Sequence, residues 1–179
     1  LAHITEDKEM IQAFVNGEDI HTATASLVFE TAPERVTPEM RRRAKAVNFG
    51  IVYGISDFGL SRDLGIPRKE AKKYIEGYLT KYAGVKKYME QIVKTGREQG
   101  YVETLFHRRR QLPELQSRNF SQRSFGQRIA MNTPIQGTAA DIIKIAMVKV
   151  YSALKESGLK SRLILQVHDE LLVETYIDE

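Results

Sequence analysis

The sequence predicts a helix-rich α+β fold with little sheet, one piece of which arrives last. Three observations carry this expectation. Apolar residues recur with a helical period through the first hundred residues, the period changes to alternation among β-formers at Tyr101, and two β-rich runs close the chain. Helices followed by a late piece of sheet, without a repeating βαβ alternation, is the α+β order.

Taken in order, Met10, Ile11, Phe14 and Val15 form a helical stripe that Gly17 closes as a C′ residue. A second short helix is expected over 18–29. Thr37 as N-cap and Pro38 at the first helical position then start a strong helix that should end near Gly54. A short helix follows over 55–65. Pro67 opens the next, with Ala71, Tyr74, Ile75 and Tyr78 on one side, and another runs over 83–100 to Gly100. "YVETLFHRRRQL" predicts a small hairpin turning at His107–Arg110. Helix returns from Ser121, is expected to break at Thr133–Pro134, and resumes to Gly158. Leu163–Val167 and Leu171–Tyr176, joined by "HDE", predict a final hairpin whose strands are buried on at least one face.

The 179 residues, 42% hydrophobic, suffice for one good-sized domain or pieces of two, and exclude wholesale disorder. With 27 Lys and Arg against 23 Asp and Glu, the net charge is only +4. Its placement says more: cations gather at Arg41–Lys45, at "HRRR" (107–110) and at Arg118, Arg123 and Arg128, while the last dozen residues run acidic. A basic track beside an acidic tip suits an anionic substrate with a divalent cation. The absence of cysteine excludes disulfides and thiolate metal sites and fits a reducing interior. No secretory signal, bilayer-length apolar run or internal repeat occurs. The chain opens on Leu1 and stops at "ETYIDE" as though a strand were under way, so a fragment is expected.

Two local patterns point to chemistry. Arg41, Lys45, Phe49 and Tyr53 recur every fourth residue. A step of four turns a helix by only about 40°, so the four form one ridge, cationic at one end and aromatic at the other. That surface fits a long ligand with an anionic head and a flat body. Asn48, Gly50 and Gly54 cluster beside it, and each glycine costs a helix about 1 kcal/mol relative to Ala, so some close approach is expected there, a base or sugar being one candidate. In the hairpin tip, Asp169 and Glu170 place adjacent carboxylates on a tight turn, which suits hard cations such as magnesium, although on this stretch alone the ordinary-turn reading is favoured because turns attract Asp.

"RRRAKAVNFGIVYG" resembles the fingers-helix motif of family A DNA polymerases, and "QVHDELLVE" (166–174) resembles that family's palm hairpin. "YVETLFHRRRQLPEL" and "NTPIQGTAADIIKIAM" are similar to the same family, in the form found in bacterial polymerases of the Bacillus type. The likeness covers essentially the whole chain in order. It implies a fingers subdomain over 1–130, with the nucleotide-binding helix at about 38–53 and the small hairpin at about 101–112. The remaining 131–179 would be part of the palm, with the long helix and the catalytic hairpin.

By resemblance, Arg41 and Lys45 bind the triphosphate of a dNTP, and Lys45 protonates the departing pyrophosphate. Phe49 lies against the incoming sugar, Tyr53 beside the templating position, and His21 makes a further phosphate contact. Arg128, Asn132 and Gln136 approach the primer terminus, the last two in the minor groove, whose acceptors hardly distinguish base pairs. His168 meets the primer end, Asp169 is a catalytic metal ligand, and Glu170 is its neighbour in the metal site. The implied reaction is template-directed nucleotidyl transfer to a primer 3′-hydroxyl with two Mg2+ ions, one lowering the hydroxyl pKa and one holding the triphosphate. The implied partners are primer–template DNA and deoxynucleoside triphosphates, with no membrane, in a cytoplasmic, nucleoid-associated monomer.

One departure matters. The family's strand motif of the form D-x-S-x-I-E-L-R, which carries a further carboxylate, does not occur in this sequence. The chain alone is therefore expected to be inactive. Two other readings stay open on the residues: a non-catalytic helical module that binds nucleic acid through its Arg patches, and a metal-dependent phosphohydrolase centred on "HD", which four scattered His residues poorly support.

Overall fold

The computed structural model describes all residues, Leu1–Glu179. Eight helices come in chain order: α1 (Ala2–Thr5), α2 (Lys8–Val15), α3 (Ile20–Val28), α4 (Pro38–Val52), α5 (Asp57–Leu64), α6 (Arg68–Lys81), α7 (Ala83–Gln99) and α8 (Phe120–Glu156). Strands β1 (Tyr101–Glu103) and β2 (Arg109–Gln111) make one two-stranded sheet, and β3 (Arg162–Val167) and β4 (Glu170–Glu174) another. The fold is α+β, as the sequence predicts.

The chain divides into two compact units, one of Leu1–Val102 with Arg110–Asn132, the other of Glu103–Arg109 with Thr133–Glu179. In the first, Met10, Val28, Val47, Ile51, Leu60 and Tyr78 belong to one buried cluster drawn from α2 to α6. The helix starts are fixed by side chains. Asp7, Asp19, Thr37 and Ser56 each accept a hydrogen bond from the first turn of the helix they precede. Asp7 does more, since its second oxygen accepts from the Gly84 N–H at 2.7 Å, tying the start of α7 to the start of α2.

Three element boundaries need correction. The small hairpin turns over 104–108, and Arg109 and Arg110 lie in β2. The Thr104 hydroxyl accepts from the N–H groups of Phe106 and Arg108, which pulls the turn ahead of "HRRR". Next, α8 continues through Pro134 instead of breaking there. An internal proline costs about 3 kcal/mol, but one lost bond leaves the turns on either side intact. The Tyr88 hydroxyl supports the preceding turn by donating to the Met131 carbonyl at 3.1 Å. Finally, β4 ends at Glu174, and Tyr176 lies beyond it, where its N–H donates to the Ser161 hydroxyl.

In the second unit β3 and β4 pair antiparallel, from Arg162 with Glu174 to Val167 with Glu170, with a slip in register between Leu163 and Leu165. The strands were expected to be buried on one face. Instead Ile164, Leu165, Val167 and Leu172 are all at least 40% exposed, because the ladder satisfies the backbone without any layer covering these side chains.

Candidate active site

Helix α4 presents the ridge. Phe49 and Tyr53 stack, their centroids 6.3 Å apart and planes 16° from parallel, and both rings are exposed. The Lys45 ammonium lies 5.8 Å from the Phe49 centroid, and the His21 ring, on α3, lies 5.9 Å from it. Four residues on two helices thus form one continuous surface. The nearby cations differ in their state. Arg42 and Arg43 both pair with Glu39, and Arg41 pairs with Asp19 at 2.6 Å, whereas Lys45 has no carboxylate partner.

Beneath this surface runs a buried polar link between the two helices. The Thr24 hydroxyl donates to Asn48 Oδ1 at 2.9 Å, and Asn48 Nδ2 lies 2.8 Å from His21 Nδ1. Thr24 and Asn48 are both buried, and an amide buried without partners costs about 1–3 kcal/mol, so the link holds α3 and α4 in a specific register. Burial lowers the pKa of His21, with Arg41 and Lys45 acting in the same direction and Asp19 against them. The Asp19 carboxyl is lowered to about 2, first by the hydrogen bond from Arg41.

The glycines next to the ridge make room for the protein itself. Gly54 has φ 69°, and with Ile55 it closes α4 through the bonds Gly54 N–H to the Ile51 carbonyl and Ile55 N–H to the Gly50 carbonyl. A Cβ on Gly50 would sit 2.9 Å from Ile55 Cγ2, and one on Gly54 would sit 2.6 Å from Met131 Cε. The close approach seen at these glycines is to Ile55 and Met131. Beside the rings, Phe49, Tyr53, Gly54, Ile55 and Arg128 line an open groove of about 550 Å³. Arg128 is exposed with no carboxylate partner, but Arg123 donates to the Ser117 and Arg118 carbonyls at 3.0 and 2.7 Å, so it closes a loop instead of extending a basic track. Asn132, four residues beyond Arg128 on α8, has a buried side-chain oxygen without a partner.

In the second unit Gln136 is exposed on α8. His168 and Asp169 form the turn between β3 and β4, with His168 at φ 51° and its carbonyl accepting from the Gln166 amide at 2.8 Å. Glu170 is not a turn residue, as "HDE" had implied, but the first residue of β4, paired with Val167. Asp169 and Glu170 are both exposed and paired with no cation, which leaves free the oxygen donors that hard divalent ions take. No group of three His, Asp or Glu able to hold a metal forms anywhere in the chain, so these two would supply only part of a coordination shell. No helix is long and apolar enough to cross a membrane.

The sequence model of DNA polymerase family A matches residues 1–179. The chain belongs to DNA polymerase family A. Among family members it is 61% identical over 179 residues to DNA polymerase I of Bacillus subtilis and 58% identical to that of Geobacillus stearothermophilus, covering all of this chain and 20% of each relative. A solved structure, the POL domain of Pol1 from M. smegmatis in complex with DNA primer-template and dNTP, superposes with a TM-score of 0.93 at 48% identity, over 98% of this chain and 31% of that one. The chain spans about a fifth of the length of the curated relatives it matches.

Asp19 and the Thr24–Asn48 link escaped the sequence reading. Asp19 was not singled out in the sequence, and its bond to Arg41 joins residues 22 apart and leaves no local signal. Asn48 stood out beside the ridge without a role, because its partners lie on α3.

Proposed function

We propose that this chain is the nucleotide-binding and part of the catalytic portion of a DNA-directed DNA polymerase, extending a primer 3′-hydroxyl from a dNTP on a template. The observation that carries the reading is the unpaired Lys45 ammonium at the edge of an exposed, stacked Phe49–Tyr53 pair. A cation left without a carboxylate beside flat rings suits a polyphosphate joined to a sugar and base. Arg41 and Lys45 hold the phosphates, His21 adds a hydrogen bond, Phe49 lies against the sugar, and Tyr53 stands by the templating base. Lys45, as an ammonium, gives a proton to the leaving pyrophosphate. Arg128, Asn132, Gln136 and His168 serve the primer–template.

Asp169 and Glu170 would hold part of a divalent metal site, with Mg2+ the ion their hard oxygen donors favour. Such ions supply charge neutralisation and a more acidic 3′-hydroxyl to nucleotidyl transfer. The fingers assignment falls on 1–130 and the palm assignment on 131–179, and the working enzyme is a monomer of the cytoplasm and nucleoid. With the D-x-S-x-I-E-L-R string missing from the sequence, the 179-residue chain alone is inactive, and template-dependent primer extension by it would refute that.

Lys45→Ala, made in a polymerase that carries this chain whole, tests the reading. Nucleotide incorporation is expected to fall by at least about 100-fold, with primer–template affinity kept within about threefold. A loss confined to DNA affinity would favour a non-catalytic binding module.

A further inference from the structure

We propose that Asn48 and Thr24 are positioning residues for His21, holding its imidazole neutral with the proton on Nε2, so that it meets a nucleoside triphosphate as a directional donor and not as a third cation. This rests on the reading of His21 as a nucleotide contact, but the roles of Asn48 and Thr24 come from geometry internal to α3 and α4.

A side-chain amide nitrogen only donates. Asn48 Nδ2 lies 2.8 Å from His21 Nδ1, so a proton on Nδ1 would set one N–H against another. With the amide in this orientation the ring accepts at Nδ1 and carries its hydrogen on Nε2. The alternative is a flipped Asn48, with its oxygen toward the ring. Thr24 favours the observed orientation by donating its fully buried hydroxyl to Asn48 Oδ1 at 2.9 Å, whereas a flipped amide would require that hydroxyl to turn and accept from Nδ2. The surroundings are mixed in charge. Asp19 favours a protonated ring, Arg41 and Lys45 oppose it, and burial sides with the neutral form. Two cations already face the phosphate end of the ridge. What a neutral donor adds is direction, since one N–H with a fixed tautomer accepts only one placement of a phosphate oxygen.

The chain contains four histidines, which makes a direct measurement practicable. With 15N-labelled histidine, long-range nitrogen–proton correlation distinguishes protonated from unprotonated ring nitrogens, and His21→Gln identifies the His21 signals. The expected result at pH 8 is a protonated Nε2 and a bare Nδ1 in the unaltered chain, and a mixture of tautomers in Asn48→Leu. Thr24→Val, a smaller change, should move the equilibrium in the same direction and serves if Asn48→Leu does not fold. A proton on Nδ1 in the unaltered chain, or a tautomer indifferent to both substitutions, overturns the proposal. Titration with dATP then separates the two levels of inference. The unaltered chain should show the Nε2 signal perturbed, and Asn48→Leu should bind about tenfold more weakly, the effect of one directed hydrogen bond. A tautomer controlled by Asn48 in a ring that dATP never perturbs would sink the nucleotide role of His21 while leaving the positioning chemistry intact.

Discussion

The ridge on α4 and the turn between β3 and β4 carry the two halves of the proposed chemistry, and they are built in opposite ways. Ala44, Val47 and Ile51, on the buried side of α4, have at most 3% exposure, and Asn48 is tied to α3 by polar bonds. The ridge therefore inherits its precision from a core. The turn inherits its shape mainly from the backbone, a ladder on either side and a positive φ at His168, with the Gln166 amide donating to the His168 carbonyl and an Arg162–Glu174 ion pair at 2.7 Å at the far end. Leu163, Leu171 and Val173 are only half-buried, and its other apolar side chains are exposed. A side chain that must discriminate geometry gains from a packed foundation, whereas two carboxylates that attract a cation need only be lifted together on a stiff turn.

The largest expected effect breaks this contrast at its foundation. Leu60 is fully buried in the first unit's cluster, and Ile164 is 56% exposed at the register slip of β3. Leu60→Ala should cost about 2–5 kcal/mol in urea unfolding, from lost transfer energy and the cavity left behind. Ile164→Ala should stay within about 0.5 kcal/mol, as surface changes do. Comparable losses in the two variants would mean that the hairpin is packed as firmly as the ridge, and the contrast would fail.

What the sequence disclosed follows the same division. The helix start at Thr37, the closure near Gly54 and the ridge every fourth residue are local, and each was legible because its cause lies within one turn of helix. The Thr104 turn was misplaced because a single hydroxyl, not the run of arginines, chooses where the chain reverses. Pro134 was read as a break because propensity weighs the lost bond and not the 37-residue helix around it. The strands were expected to be buried because Leu, Ile and Val announce burial without saying by what. Asp19, Thr24 and Asn48 act through partners 22 to 27 residues away, where sequence carries no period.

A middle-sized effect sharpens the ridge side. Gly50→Ala should gain about 1 kcal/mol of helix propensity. Against that, the new methyl meets Ile55 Cγ2 at 2.9 Å, and Ile55 is held from the other side by Gly59, whose own Cβ would lie 2.9 Å from Ile55 Cγ1. A branched side chain wedged between two helices yields little, and overpacking of this kind costs about 1–3 kcal/mol, so a net loss of about 1 kcal/mol is expected. Ile55→Ala in the same background should recover the helix gain, a coupling that a double-mutant cycle would read. Simple additivity of the two changes would show that the wedge does not constrain the end of α4.

The smallest effect concerns Asp19, whose two oxygens do separate things. One accepts from the His21 and Thr22 N–H groups at 2.9 and 3.3 Å and caps α3, while the other holds the Arg41 guanidinium. Because the folded carboxyl titrates near 2 and not at 3.8, the pair stabilises the fold above pH 3.8 and its contribution is lost as pH falls toward 2. The 13C titration of the Asp19 carboxyl should therefore move back up in Arg41→Gln. Asp19→Ser keeps a capping oxygen and frees Arg41, so stability should change by less than about 0.5 kcal/mol, since exposed ion pairs contribute little. In a polymerase that carries this chain, a freed Arg41 should tighten dNTP binding by up to about fivefold, because the phosphates no longer compete with a carboxylate for the same fork. Asp19→Ala, which loses the cap as well, separates the two roles. If Asp19→Ser weakens binding as much as Asp19→Ala does, the carboxylate is aiming Arg41 at the nucleotide and not holding it back.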